Sequence, residues 1–180
     1  MDHTLSLKEA IALLEEHQGA KPDRVAHSLA VTKLAAAIGR ELNRQGLNLD
    51  MELIKLSAVL HDIRKGHPDH DRSGGELLRA LGHPAIAAVV EVHTRLGGVT
   101  PGPLDPVTEA EVVYIADKSY RRTTRVSIEE RYGIWRKTWQ DNPERLESLA
   151  RGEDRAKTVR RRLELAMGKP LDSVLPDQAP

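Results

Sequence analysis

Repeated helix-start signals constrain the fold of this chain more than any other feature. The stretches "SLKE", residues 6–9, and "SIEE", residues 127–130, both have capping-box spacing, with a Ser followed three residues later by a Glu. At 142–143, an Asn precedes a Pro, which is typical of a cap followed by the first helical residue. Between these points apolar residues recur at helical spacing, as in Val31, Leu34 and Ile38. The pattern indicates a bundle of amphipathic helices.

The pattern predicts an all-α fold of about seven or eight helices. Helices are expected over about 7–18, 23–45, 51–62, 70–81 and 84–94, and further helices are expected to start near 106, 128 and 143. The Pro- and Gly-rich stretch "GGVTPGPLDP" predicts a loop. No convincing strand alternation and no repeat is present. We expect one compact domain over 1–168, followed by a loosely ordered C-terminal tail over 169–180.

Composition excludes several classes of protein. The chain has 180 residues, of which 39% are hydrophobic and 30% are charged, and no apolar run approaches the ~20 residues of a membrane span. The first ten residues, "MDHTLSLKEA", contain no basic stretch ahead of an apolar one, so we expect no signal peptide and a cytoplasmic location. There is no cysteine, which excludes disulfides, thiolate zinc sites and cysteine nucleophiles.

The net charge of zero conceals a basic segment in the C-terminal part of the chain. Residues 118–162 carry 14 Lys or Arg and 7 Asp or Glu, whereas residues 1–117 carry 12 and 17. This basic segment is either a solvated, salt-bridged helical surface or a surface that partly faces an anionic ligand. With only five aromatic residues in the chain, a base-stacking surface for nucleic acid is not expected.

Several histidines and carboxylates fall on the apolar faces of the predicted helices. His27 shares a stripe with Val31 and Leu34, and His93 shares one with Val89. The apolar run "LSAVL" ends directly in a His-Asp pair at 61–62. The complete set of inward-facing residues is His27, His61, Asp62, His70, His93 and Asp117.

This set predicts a metal centre. Any one of these residues alone is well explained as a hydrogen-bonded core residue, but six of them in a small bundle need partners. Imidazoles and carboxylates on facing helices are how bundles build metal sites. Nitrogen and oxygen ligation without thiolate suits iron, manganese, cobalt, nickel or zinc. Six donors exceed a tetrahedral zinc site and match two ions that share a bridging carboxylate.

Five stretches carry a family resemblance: "VAHSLAV", "LSAVLHDIRKG", "HDRSGGELL", "VVEVHT" and "VVYIADK". Together they resemble the HD-domain metal-dependent phosphohydrolases of the dinuclear branch, over about residues 22–135. They are similar to the bacterial symmetrical diadenosine-tetraphosphate hydrolases and to HD domains associated with nucleotidyltransferase-like domains. After "YIAD" those hydrolases usually continue with a short motif of acidic residues and an Arg, whereas this chain continues "KSYRR".

The resemblance implies an enzyme that hydrolyses phosphate esters or phosphoanhydrides of nucleotide-like substrates. It implies that Asp62 bridges two metal ions, with iron as the first expectation. One ion would be held by His27, His61 and Asp117, and the other by His70 and His93. A hydroxide bridging the ions would attack phosphorus.

Four basic residues are candidates for contacts with phosphate. Lys65 follows the His-Asp pair, although it is equally well explained as a solvated Lys at a helix end. Arg121 is expected one helical turn beyond Asp117, Arg125 lies close by, and Arg72 is a further candidate. The expected partner is a small phosphorylated molecule, with no membrane contact, and a homodimer is left open.

Three alternatives to a general nucleotide phosphohydrolase follow from the same ligand order. The first is symmetrical cleavage of diadenosine tetraphosphate to give ADP. The second is a mixed-valent di-iron oxygenase, and the third is a ligand-binding HD module without catalysis. The intact set of six ligand positions argues against the third, since a binding module does not require them.

Overall fold

Helices dominate the architecture, as the sequence predicts. A computed structural model describes residues 5–178 of the chain. Within them the α-helices are α1 Leu7–Gln18, α2 Pro22–Arg44, α3 Met51–Leu60, α4 His70–Ala80, α5 Pro84–Val92, α6 Glu109–Lys118, α7 Ile128–Thr138 and α8 Pro143–Met167. Short 3-10 turns lie at Leu96–Gly98 and Leu171–Ser173. No helix in this part of the chain is both long and apolar enough to cross a membrane.

Side-chain caps explain where several helices begin. The capping boxes expected at 6–9 and 127–130 are both formed. The expected helix start at 105–106 is wrong, because a third capping box, between Thr108 and Glu111, starts α6 at Glu109. The carboxylate of Asp105 instead accepts a hydrogen bond from the backbone of Gly102, at 2.7 Å.

A two-stranded hairpin, which the sequence pattern does not reveal, follows α6. Strands β1 (Tyr120–Arg121) and β2 (Thr124–Arg125) pair in antiparallel fashion. Arg122, between them, has a φ of 55°, in the left-handed region that tight turns use. Strands of two residues are too short to show an alternating pattern.

Two hydrophobic clusters form the core, and α3 contributes to both. Ile54 and Ala58 pack in the first cluster with residues of α2, α6 and α8, and Val59 and Leu60 pack in the second with residues of α1, α4 and α5. The C-terminal end of α3 therefore lies where the two clusters meet. The His-Asp pair at 61–62 directly follows that end.

The C-terminal segment packs onto the helical body over its described length. Leu171 and Val174 are buried in the first cluster. Arg125 donates hydrogen bonds to both of their carbonyls, at 2.7 and 2.6 Å. Asp177 pairs with Arg40. Of the tail for which loose order is predicted, residues 179 and 180 lie outside the described residues.

Candidate metal centre

Five helices deliver the six predicted ligands to one place. His27 lies on α2, His61 caps α3, Asp62 follows it, His70 starts α4, His93 caps α5 and Asp117 lies near the end of α6. All of them except His70 are buried. The imidazoles form a chain, with ring centroids 5.1–5.3 Å apart from His27 to His61, from His61 to His93 and from His93 to His70.

The carboxylate of Asp62 lies at the middle of the cluster. Its Oδ2 is 3.6 Å from Nε2 of His61 and 3.9 Å from Nε2 of His27. Its Oδ1 is 3.2 Å from Nε2 of His70 and 3.5 Å from Nε2 of His93. Each oxygen of this one carboxylate therefore faces a different pair of imidazoles.

The carboxylate of Asp117 closes one side of the cluster. Its Oδ1 is 3.1 Å from Nε2 of His27 and 3.6 Å from Nε2 of His61. Its Oδ2 accepts a hydrogen bond from Nζ of Lys118, at 2.7 Å. His27 and His61 therefore lie beside one oxygen from each of the two carboxylates.

Backbone carbonyls set the orientation of three imidazoles. Nδ1 of His27, His61 and His93 lies 2.7, 2.8 and 2.6 Å from the carbonyls of Arg122, Ala58 and Val90. A carbonyl only accepts hydrogen bonds, so each Nδ1 carries the hydrogen. In its neutral form, a ring held this way presents the lone pair of Nε2 to the centre, which is the arrangement typical of metal-binding histidines.

The donor arrangement fits a cation. Nε2 of His61 is buried and has no hydrogen-bond partner, although carboxylate oxygens of Asp62 and Asp117 lie 3.6 Å away. An imidazole lone pair facing carboxylate oxygens needs a proton or a metal ion between them. Two overlapping groups have donor atoms within 4.8 Å of one another: His27, His61 and Asp117, and His61, Asp62 and His93. Imidazole and carboxylate donors without sulfur suit divalent transition metals.

The family model of the HD domain matches residues 24–122. That segment covers more than half of the chain and includes all six residues of the cluster. The chain belongs to the HD domain family. HD domains form a family of metal-dependent phosphohydrolases, so the centre lies where the chemistry of this family requires a metal.

One curated protein is similar to the chain. An uncharacterized protein of Methanocaldococcus jannaschii is 32% identical to the chain over 120 residues, which cover 59% of this chain and 71% of the relative. No solved structure matches the chain.

The two carboxylates of the cluster, Asp62 and Asp117, both have a lowered pKa, which favours the ionised form. Burial raises the pKa of Asp62, but the charge of His61 and the contacts from His70 and His93 outweigh burial and hold the pKa well below its ordinary value. Burial likewise raises the pKa of Asp117, and the charge of Lys118 with the contact from His27 outweighs it. The centre therefore offers two negative charges on largely buried side chains.

The buried imidazoles at the two sides of Asp62 differ in pKa. Burial lowers the pKa of His61, but the carboxylates of Asp62 and Asp117 more than reverse this and leave the pKa raised. Burial dominates at His93 and lowers its pKa.

Two lysines accompany the carboxylates. Nζ of Lys65 lies 3.2 Å from Oδ1 of Asp62 and 3.5 Å from Nε2 of His70, and its side chain is 42% exposed. Lys118, which sequence reasoning did not select, is buried against Asp117, with Nζ 4.9 Å from the ring centroid of Tyr114. Its position directly after Asp117 in "IADK" was the available signal.

The three arginines predicted to contact phosphate lie away from the cluster. Since α6 ends at Lys118, Arg121 is not one helical turn beyond Asp117 but lies exposed on β1. Arg125 binds the C-terminal carbonyls. Arg72 is exposed and pairs with Glu76 at 3.4 Å.

Two cavities open at the centre of this HD domain. The first, which we call the α8 cavity, has a volume of about 520 Å³ and reaches from His70, His93 and Asp117 to α7 and α8. The second, the α2 cavity, has a volume of about 480 Å³ and reaches from His27 and Asp62 to the start of α2. Lys65 and Arg131 line both cavities. Neither cavity is lined by Arg72, Arg121 or Arg125.

Proposed function

We propose that this HD domain binds two transition-metal ions and hydrolyses a phosphate ester or phosphoanhydride of a nucleotide-like substrate. The observation that carries the proposal is the placement of the Asp62 carboxylate, whose two oxygens face separate pairs of imidazoles. A carboxylate with this placement is suited to bridge two cations. A single tetrahedral ion would leave some of the six donors unused.

The ligand groups follow from the distances. His27 and His61 face both Oδ2 of Asp62 and Oδ1 of Asp117, so the two histidines and Asp117 would hold one ion. His70 and His93 face Oδ1, and they would hold the other. Iron is the first expectation, and manganese, cobalt, nickel or zinc also suit nitrogen and oxygen donors. Bound there, the metal would supply an activated water and offset the charge on phosphate oxygens.

Side chains around the centre supply the remaining functions. Lys65 lies beside Asp62, lines both cavities and is partly exposed, so its ammonium group can reach phosphate oxygens. Lys118 occupies Oδ2 of Asp117 and thereby directs Oδ1 towards His27 and His61. Phosphoryl transfer depends mainly on such positioning and charge stabilisation.

The experiment that tests this function combines metal content with a substrate screen. Full-length protein reconstituted with iron, manganese, cobalt, nickel or zinc is incubated with mononucleotides, dinucleoside polyphosphates and simple phosphate esters. Products are separated by chromatography, and the metal bound per chain is measured on the same sample. We expect two metal ions per chain and phosphate release from at least one of these classes.

Asp62→Asn is the decisive variant, because it keeps the size of the side chain and removes the charge that faces both imidazole pairs. We expect it to lose metal and to lower turnover by at least ~100-fold, as removal of an electrostatic partner in a catalytic centre does. Asp141→Asn, at an exposed position outside the cluster, is the matched control. Two ions per chain and full turnover in Asp62→Asn would disprove the bridging assignment. Oxygen uptake without phosphate release would replace hydrolysis by the oxidative alternative.

A further inference from the structure

Most of the far wall of the α8 cavity comes from helices outside the segment that matches the HD family. That wall comes from α7 and α8, which begin at Ile128 and Pro143, beyond the matched residues 24–122. Its lining includes Arg131 and Trp135 from α7, Arg151 and Arg155 from α8, and Arg95 from the segment after α5. Arg95 lies within the matched segment, whereas the residues from α7 and α8 lie beyond it.

Three arginines of this wall have no carboxylate partner within residues 5–178. The guanidinium of Arg131 lies 4.6 Å from the ring centroid of Trp135, and its buried Nε has no hydrogen-bond partner. Arg155 donates to the carbonyl of Gly98 at 2.7 Å, and its Nε is also buried without a partner. For the side chain of Arg95, no hydrogen bond or ion pair exists in the described part of the chain.

Other charges along the cavity do not offset these arginines. Arg151 is already paired with Glu147 at 2.7 Å. Asp117, the carboxylate that lines the α8 cavity, is held by Lys118. The wall thus has an excess of positive charge and unused N–H donors. Guanidinium groups in this state match phosphate or carboxylate oxygens in charge and geometry.

The aromatic ring in the wall is already engaged. The ring of Trp135 makes a cation–π contact with the guanidinium of Arg131. It also packs edge to face against Tyr132, with ring centroids 4.9 Å apart and planes at 89°. These contacts favour an anionic group over a stacked aromatic ring as the occupant. A cavity of about 520 Å³ is large enough for a small ligand that contacts both the wall and the metal centre.

We propose that Arg95, Arg131 and Arg155 form a subsite for a second anionic group of the substrate. The substrate would then carry at least one phosphate besides the one at the metal centre, as polyphosphate-containing molecules do. This inference rests on the proposed hydrolase function for what happens at the metal centre. The binding of the second group depends only on the arginines of the wall.

The test uses Trp135 as a reporter of the subsite. The chain has two tryptophans, and Trp139 does not line the α8 cavity, so Trp139→Phe leaves Trp135 as the single fluorophore. Full-length protein with this substitution is titrated without added metal, with inorganic tripolyphosphate and separately with orthophosphate. We expect tripolyphosphate to bind at least ~10-fold more tightly, since it can contact several guanidinium groups at once.

Variants then assign the preference to the wall. Arg131→Gln and Arg155→Gln should each weaken tripolyphosphate binding by ~10-fold or more, with a smaller loss for orthophosphate. Arg95→Gln removes a cation whose side chain makes no hydrogen bond or ion pair within the described residues, so it tests the charge alone. Arg161→Gln, an exposed residue of α8 that lines a separate cavity with Leu165 and Pro103, is the matched control.

The possible results separate the two proposals. Equal affinity for the two anions, or an unchanged preference in all three Gln variants, would overturn the subsite. The titration measures no turnover, so its result does not depend on hydrolysis. A chain that prefers tripolyphosphate but hydrolyses no phosphate compound would retain the subsite and overturn the proposed function.

Discussion

At the scale of single residues, Lys65 combines a fixed backbone with a partly exposed side chain. Nε2 of Gln18 donates to the carbonyls of Ile63 and Lys65, at 2.8 and 3.2 Å, and Arg24 also donates to the carbonyl of Lys65. The turn after the His-Asp pair is thereby tied to α1 and α2. This arrangement holds the ammonium group of Lys65 close to Asp62 while leaving it accessible from both cavities.

Replacing Lys65 by Met should weaken substrate binding more than metal binding. The change removes a cation that can contact phosphate, but it removes none of the proposed metal ligands. We expect KM for a phosphorylated substrate to rise by ~10-fold, the effect of losing one charge-assisted hydrogen bond. The metal bound per chain should stay the same. Steady-state kinetics and metal analysis on one preparation measure both quantities.

The control for this variant is Lys8→Met, at an exposed position of α1. An unchanged KM in Lys65→Met would exclude a contact between Lys65 and the substrate. Loss of metal in the same variant would instead mean that Lys65 acts by positioning Asp62.

Helical periodicity identifies the inward-facing histidines but not the basic residues that lie near them. His27, His93 and Asp117 could be selected because each shares a helical stripe with apolar residues. The one signal for Lys118 is its position directly after Asp117. Arg131 has no such signal, since a basic residue beside an apolar stripe is usually solvated and only the packed structure shows what it contacts. The carbonyl that orients His27 belongs to Arg122, 95 positions along the chain.

At the scale of elements, the packing of α4 against α5 depends on the absence of a side chain at Gly75. A Cβ added at Gly75 would collide with the side chain of Glu91, whose Cδ would lie 2.7 Å away. Glu91 is held in place by two hydrogen bonds from Arg79, at 2.6 and 2.7 Å. Because α4 begins at His70 and α5 ends beside His93, a change in this packing also affects the metal centre.

Gly75→Ala should therefore destabilise the protein, by about 1–3 kcal/mol, as overpacking does. Gly133→Ala is a matched helical control, because the nearest atom to its new Cβ, Nη2 of Arg136, would be 3.9 Å away. We expect that control to be stabilised by about 0.5–1 kcal/mol through lower backbone entropy in the unfolded chain. Urea unfolding of both variants provides the free energies. Equal stabilities for Gly75→Ala and wild type would show that Glu91 moves aside at no cost.

Helices α7 and α8 are joined by a buried carboxylate. Glu153 contacts Arg136 of α7 and accepts from Lys157 at 2.8 Å. Burial raises the pKa of Glu153, but the hydrogen bonds from Lys157 and Arg136 outweigh it and lower the pKa below its ordinary 4.5. A lowered pKa in the folded state stabilises the fold at pH values above the unfolded pKa, and this stabilisation disappears as pH falls through the folded pKa.

Glu153→Gln should accordingly lower the free energy of unfolding by about 1 kcal/mol at pH 7. This value allows for the exposure of Arg136 and Lys157. The difference in unfolding free energy between wild type and variant should shrink as pH falls below about 4.5. Urea unfolding at pH 7, 5, 4 and 3 measures this difference. A difference that is independent of pH would show that the charge of Glu153 does not link the two helices.

Local signals predicted several helix starts, and the capping boxes at 6–9 and 127–130 both form. Near α6 the predicted start at 105–106 is wrong, because the reciprocal hydrogen bonds between Thr108 and Glu111 start the helix at Glu109. The hairpin after α6 could not be predicted, because two residues a strand leave no periodic signal.

At the scale of the whole molecule, the centre lies where α3 joins the two hydrophobic clusters. The ligands come from α2 through α6, so the centre is held together only when these helices pack correctly. The same packing buries the ionised carboxylates of Asp62 and Asp117. Such charges cost free energy unless cations accompany them. A metal that binds the folded chain is therefore expected to stabilise the whole molecule.

Metal should raise the melting temperature of the wild-type chain. At a free metal concentration of about 100 times Kd, the stabilisation is about 2.7 kcal/mol. For a chain of this length each kcal/mol corresponds to about 2–4 °C, so we expect a rise of about 5–10 °C. Differential scanning calorimetry of chelator-treated protein, with and without added metal, measures the shift. Asp62→Asn should show little of it, because its amide has no charge to bridge the two imidazole pairs, whereas Asp141→Asn should behave like wild type. If Asp62→Asn gained as much as wild type, metal would be stabilising the protein at some place other than the buried cluster, since Asp62 is the one carboxylate that faces all four of its histidines.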